Sequence, residues 1–257
     1  MLKNKFFISL IMLTLPLFLI SKDALKIGKI SYKYSVDESN PKASYYSVNY
    51  PIFQNINKDL EEQIYFDLEI TNKKKDIKDK ELYEIMGEKC FNFINEFKKN
   101  EEDLKKFDPE ATPHDFIYDE SFQSKMIFHI LAIQVNKNSF TGGAHGTYNT
   151  KNFNYDINSN KRLKLKDVVT NVDSLFIVAE NKFRTVYKVP QGAKINSSGF
   201  QFPEDKFELT ENFLIENDGI TLLWNPYEIA AYAYGQISIK LKYKEINDLL
   251  KIKILRD

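Results

Sequence analysis

Three histidines, His114, His129 and His145, are the side chains best suited to metal binding or general base catalysis, and they stand 15 and 16 positions apart. Zinc sites take neighbouring ligands from short spacings such as H-x-x-x-H or C-x-x-C, which place two donors on one turn or helix face. Neither pattern occurs, and Cys90 is the only cysteine. A G-x-S-x-G nucleophile elbow, a phosphate-cradling glycine loop and a dinucleotide fingerprint are also lacking. The adjacent acids Glu61-Glu62 and Glu101-Glu102 fall on helical faces and read as solvated surface. These patterns point to no catalytic residue, no metal and no other cofactor.

Two segments could instead meet a ligand. Residues 141–146, TGGAHG, hold three of the nine glycines. Such a cluster permits backbone conformations and close approaches that a Cβ forbids. It is either a structural turn with His145 bonded to backbone or a loop shaped for a partner. Residues 224–235, WNPYEIAAYAYG, carry three tyrosines and the only tryptophan, residue types favoured at interfaces that also anchor cores. The candidate binding residues are Thr141, Gly142, Gly143, His145, Tyr148, Tyr227 and Tyr232.

Alternating apolar residues at 26–36 predict a strand to position them. Ile52, Ile56, Leu60, Ile64 and Leu68 recur every four residues and predict a helix beginning after Pro51; a second helix fits 79–98. The apolar run 126–135 reads as one strand covered on both faces. Another strand spans 148–157, followed by a helix over 167–188 capped by Asn171 or Asp173. Asp218-Gly219 marks a hairpin between 213–216 and 220–224; a strand at 236–241 and a short helix at 243–250 finish the chain. The expected class is α+β, helices packed on an antiparallel β-sheet, with a helix-rich part at 25–110, a strand-rich part at 111–257 and no internal repeat or linker.

Residues 1–21 join Lys3 and Lys5 to an apolar run at 6–20, the layout of a secretory signal. The run is shorter than the roughly 20 residues a spanning helix needs, and Ser21 offers a cleavage point. The expected product is an exported protein, periplasmic or extracellular, in contact with a membrane only if this segment stays uncleaved as an anchor. Its removal leaves 34 basic against 36 acidic side chains, a formal charge of −2. With only three arginines, Arg162, Arg184 and Arg256, a nucleic-acid partner is excluded. A lone cysteine forms no disulfide within the chain, so Cys90 is expected in the core.

Four motifs in order, TGGAHG (141–146), NFNYDI (152–157), LKLKDV (163–168) and NPYEIAAYAYG (225–235), resemble the extracytoplasmic module shared by RsiV-type anti-sigma factors and PdaC-type peptidoglycan deacetylases. With Tyr50-Pro51-Ile52 and Phe107-Asp108-Pro109, the resemblance covers roughly residues 26–250. It implies a non-enzymatic binding module whose partner is peptidoglycan or a glycan-directed protein such as lysozyme. Two departures matter. The five residues before the apolar run are too few for a sigma-binding domain, and the Asp plus H-x-x-x-H set of the deacetylase domain is missing. The rival expectations are a cell-wall deacetylase or hydrolase that pairs His145 with Asp156 or Glu228, and a structural envelope protein.

Overall fold

The computed structural model describes residues 24–40 and 42–251, so the expected signal segment lies outside it. The described residues form two compact units, one of those up to Phe122 together with Lys137–Thr147, the other of Gln123–Asn136 together with those from Tyr148 onward.

In the first unit, β1 (Lys26–Ser35) pairs antiparallel with β2 (Tyr45–Gln54). Tyr46, Val48 and Tyr50 alternate along β2 and are buried. Helix α1 (Lys58–Asp67) starts at Asn57, whose side chain accepts the Leu60 N–H at 3.2 Å. Helix α2 (Asp79–Phe107) buries Leu82, Met86 and Cys90 along one stripe and runs nine residues beyond the expected end. Strand β3 (Ile117–Ile127) then pairs with β2 in parallel, Tyr45 opposite Ile117 through Val48 opposite Glu120. Ser44 fastens this junction: its hydroxyl donates to Asp115 at 2.8 Å and accepts the Phe116 N–H at 3.0 Å.

Strands β4 (Ile130–Phe140), β5 (Thr147–Asp156) and β6 (Lys161–Arg162) complete a six-stranded sheet in sequential order. In the second unit, α3 (Leu165–Val168) and α4 (Val172–Tyr187) precede a three-stranded antiparallel sheet of β7 (Phe213–Ile215), β8 (Gly219–Trp224) and β9 (Ile237–Lys242). Helix α5 (Tyr243–Ile246) follows. The core of this unit is aromatic. Phe183 is fully buried, with ring centroids of Tyr187, Phe200, Phe202, Phe207 and Trp224 between 4.7 and 5.8 Å away.

The class is α+β, as expected, with one parallel pair in an otherwise antiparallel-rich arrangement. Besides the longer α2, three element boundaries differ from those the sequence predicts. Pro51 and Ile52 lie in β2, not at a helix start; β2 pairs with β3 only as far as Val48, so the missing proline N–H costs no parallel ladder bond. Residues 126–135 do not form one strand, because Phe128 turns the chain with φ 53° and separates β3 from β4. The helix expected over 167–188 divides where Val169 bridges Leu250 and the Thr170 N–H donates to the Leu249 carbonyl at 2.7 Å. Asn171 then caps α4 by accepting the Ser174 N–H at 2.9 Å.

Candidate functional site

The candidate residues fall in both units. Thr141, Gly142, Gly143 and His145 belong to the first, on the loop between β4 and β5; Tyr148, Tyr227 and Tyr232 belong to the second. Gly142 and Gly143 have φ of 100° and 87°. A Cβ on Gly142 would strike the His114 ring, 2.5 Å from Cγ. One on Gly146 would meet the Ser139 carbonyl at 2.8 Å. Two glycines are thus required by packing within the loop. His145 is exposed, and its Nδ1 lies 2.9 Å from the Gly146 carbonyl.

His114 is held by α2. Glu101 accepts its backbone N–H at 2.9 Å and lies 2.7 Å from its Nδ1. The backbone N–H, followed by the ring, draws the Glu101 carboxyl below its ordinary value of 4.5. A depressed carboxyl contributes stability that is complete above its unfolded value and is lost as pH falls through the folded one. In urea titrations, wild type is therefore expected to lose its advantage over Glu101→Gln on acidification below about pH 4.5. A gap between the two that does not change with pH would count against this tether.

The tyrosines form a ladder. The Tyr148 and Tyr232 rings meet edge to face at 5.7 Å, and Tyr232 and Tyr227 are also 5.7 Å apart. Tyr227 is 64% exposed and sits at φ 70°, in the left-handed region that a bulky residue rarely occupies. Its loop closes on itself. The Tyr227 N–H donates to the Ala230 carbonyl at 3.1 Å, and the Glu228 carboxylate accepts the Asn225 N–H at 2.9 Å. Trp224, by contrast, points into the core at 4% exposure.

The second unit also holds a row of side-chain amides, Asn154 and Asn225 buried and Asn212 partly buried, that the sequence does not single out as functional. Asn225 Oδ1 accepts the Thr150 N–H at 2.7 Å, Asn212 Oδ1 accepts the Asn152 N–H at 2.8 Å, and Asn154 Oδ1 accepts the Ile215 N–H at 2.9 Å. Asn154 also donates to the Phe213 carbonyl at 2.8 Å. Side-chain amides thus pair with backbone between β5 and the segments carrying Asn212, β7 and Asn225. The signal was present in NFNYDI, where Asn152 and Asn154 alternate with Phe153 and Tyr155.

The carboxylates offered as partners for a histidine base already have structural roles. Asp156 accepts the Asn158 N–H and the Ser159 hydroxyl, and lies 4.0 Å from His129; these hydrogen bonds hold its carboxyl low against the opposing effect of burial. Glu228 holds the Asn225 loop through both of its oxygens. Among the described residues, no group of three or more His, Cys, Asp and Glu is arranged to hold a metal ion. Cys90 is buried as expected, and burial raises its thiol to about 11.

The segment from α3 to the start of α5, which includes β7, the ladder loop and β9, is similar to a known family. Residues 165–244 match the family model described as Protein of unknown function (DUF3298). The fold as a whole is similar to that of solved DUF3298 family structures. A crystal structure of a DUF3298 family member from Bacteroides fragilis superposes with a TM-score of 0.70 at 23% identity, covering 90% of this chain and 95% of that one. A DUF3298 family protein from Pseudomonas aeruginosa superposes with a TM-score of 0.56 at 17% identity, covering 91% and 98%. The peptidoglycan-N-acetylmuramic acid deacetylase PdaC of Bacillus subtilis is 27% identical over 125 residues, which is 47% of this chain but only 26% of that enzyme. The chain thus spans about a quarter of the length of this relative.

Proposed function

We propose that this is an exported, non-enzymatic module that binds a cell-wall glycan through the tyrosine ladder of its second unit. The observation that carries this reading is Tyr227. A large aromatic side chain is held out to solvent by a strained backbone, and the surrounding hydrogen bonds fix that conformation. Residues kept in sparsely populated conformations by their surroundings cluster at binding sites. The flat faces of Tyr227, Tyr232 and Tyr148 offer apolar surface to the C–H faces of sugar rings, and their hydroxyls offer hydrogen bonds at the rim. The similarity to a deacetylase acting on peptidoglycan supports a glycan of that kind. The apolar N-terminal run supports export.

Calorimetric titration with soluble glycan fragments of peptidoglycan is expected to show saturable binding. Tyr227→Ala and Tyr232→Ala should each weaken it about tenfold or more, or roughly 1.4 kcal/mol, without changing the far-ultraviolet spectrum. Absence of binding, or affinities untouched by both substitutions, would end the glycan reading. Binding to lysozyme alone would transfer the ladder to a protein partner. Acetate release from the same fragments, abolished by His145→Ala, would establish the enzymatic rival instead.

A further inference from the structure

The first unit contains a cleft of about 720 Å³ at the C-terminal end of α1, bordered by Phe66, Ile70, Thr71, Ile85, Glu88 and Lys89. That volume lies within the range of about 300–1,000 Å³ typical of small-ligand sites. Lys89 is the unusual member. Its ammonium donates to the Glu69 carbonyl at 2.6 Å and to the Tyr50 hydroxyl at 3.0 Å, both neutral acceptors. Glu69 is at φ 58°, the turn residue that presents this carbonyl after α1. Among the described residues no carboxylate forms an ion pair with Lys89, and two acceptors leave one of its three N–H groups available. Burial, opposed by the more distant charges of Glu120 and Glu69 and reinforced by Lys137, lowers its pKa. A partly desolvated ammonium is stabilised strongly by an anionic acceptor.

Three further observations define that acceptor's molecule. Asp67, Glu69 and Glu88 also border the cleft, against Lys75 as the other cation, so a simple anion would meet repulsion at the rim. Ile70, Ile85 and Phe66 supply apolar wall, Phe66 being 42% exposed. The Thr71 hydroxyl is buried without a hydrogen-bond partner, the kind of group that a polar ligand compensates.

We propose that this cleft binds a short peptide with free termini, its carboxylate on the Lys89 ammonium, its amino group facing Glu88 and its apolar side chain against Ile70 and Ile85. The site is independent of the tyrosine ladder, which belongs to the other unit.

Titration of the isotope-labelled full chain with alanyl-leucine, followed by amide chemical shifts, tests it. Saturable shifts are expected around residues 66–72 and 85–92, with a dissociation constant on the order of 1 mM or below. The C-terminal amide of the dipeptide should bind about tenfold more weakly or worse, and Lys89→Met should abolish binding. Because Lys89→Met also removes two internal hydrogen bonds, the exposed Glu88→Gln provides the second variant. It should weaken alanyl-leucine while leaving N-acetyl-alanyl-leucine unaffected. Tyr227→Ala should leave every one of these results unchanged, which separates this cleft from the glycan reading. Equal affinity for the acid and the amide, or no saturable shift up to about 10 mM, would overturn the proposal.

Discussion

Replacing Phe183 by alanine is expected to destabilise the second unit by about 3–5 kcal/mol, the range for deleting a fully buried phenylalanine. Phe183 has no exposed surface and lies at the centre of five aromatic rings contributed by α4, β8 and the loop between α4 and β7. Alanine would leave a cavity that rigid rings cannot collapse to fill. Trp224, the only tryptophan, lies 5.8 Å from Phe183, so its fluorescence during denaturant unfolding reports on this cluster directly. Phe183→Leu, which keeps most of the volume, should cost clearly less. A loss below about 1 kcal/mol for the alanine variant would show that the loop rings repack freely.

Asn225→Leu is expected to cost about 2–4 kcal/mol and to impair the ladder at the same time. The amide of Asn225, 5% exposed, accepts the Thr150 N–H and the Gln236 side chain, and donates to the Thr150 carbonyl and to Glu228. Leucine has similar bulk but leaves the Thr150 N–H buried without a partner, and Glu228 loses one of the two groups that hold it. The Tyr227 loop then lacks half of its fastening. Unfolding measurements and glycan titration on the same preparation check both effects. Binding fully retained by a destabilised Asn225→Leu would separate the amide row from the ladder and limit it to a structural role.

These two residues show how much the sequence disclosed. Helical periodicity locates α4, and Asn171 is one of the two caps the sequence offers, because apolar spacing and capping are local properties. The packing of Phe183 was not legible: Phe200, Phe202 and Phe207 come from a loop with no periodicity, and only the folded chain brings them together. Asn225 was noticed within an aromatic motif for its neighbours, while its own side chain forms the bond to Thr150, 75 residues away. A polar residue inside an apolar pattern is ambiguous until its partner is known. The turn at Phe128 was missed for a similar reason. A phenylalanine in the left-handed region carries no glycine or asparagine signal, so residues 126–135 read as one continuous strand. In the glycine loop, the cluster signals only that a Cβ is excluded somewhere; that Gly142 faces the His114 ring, 28 positions earlier, depends on the folded chain.

The division of the chain has a consequence for biosynthesis. Lys137–Thr147 belongs to the first unit, although it follows a stretch of the second. A nascent chain emerging from a ribosome cannot complete its N-terminal half when that half has been made; it must wait for the strand ends and glycine loop that arrive later. Before that, β2 lacks its parallel partner until Asp115 and the first residues of β3 have been made, since Ser44 and Asp115 are 71 residues apart. Assembly from the N-terminus is therefore poorly suited to this topology. A chain held extended until synthesis is finished, and then released to fold all at once, avoids exposing that half-built sheet.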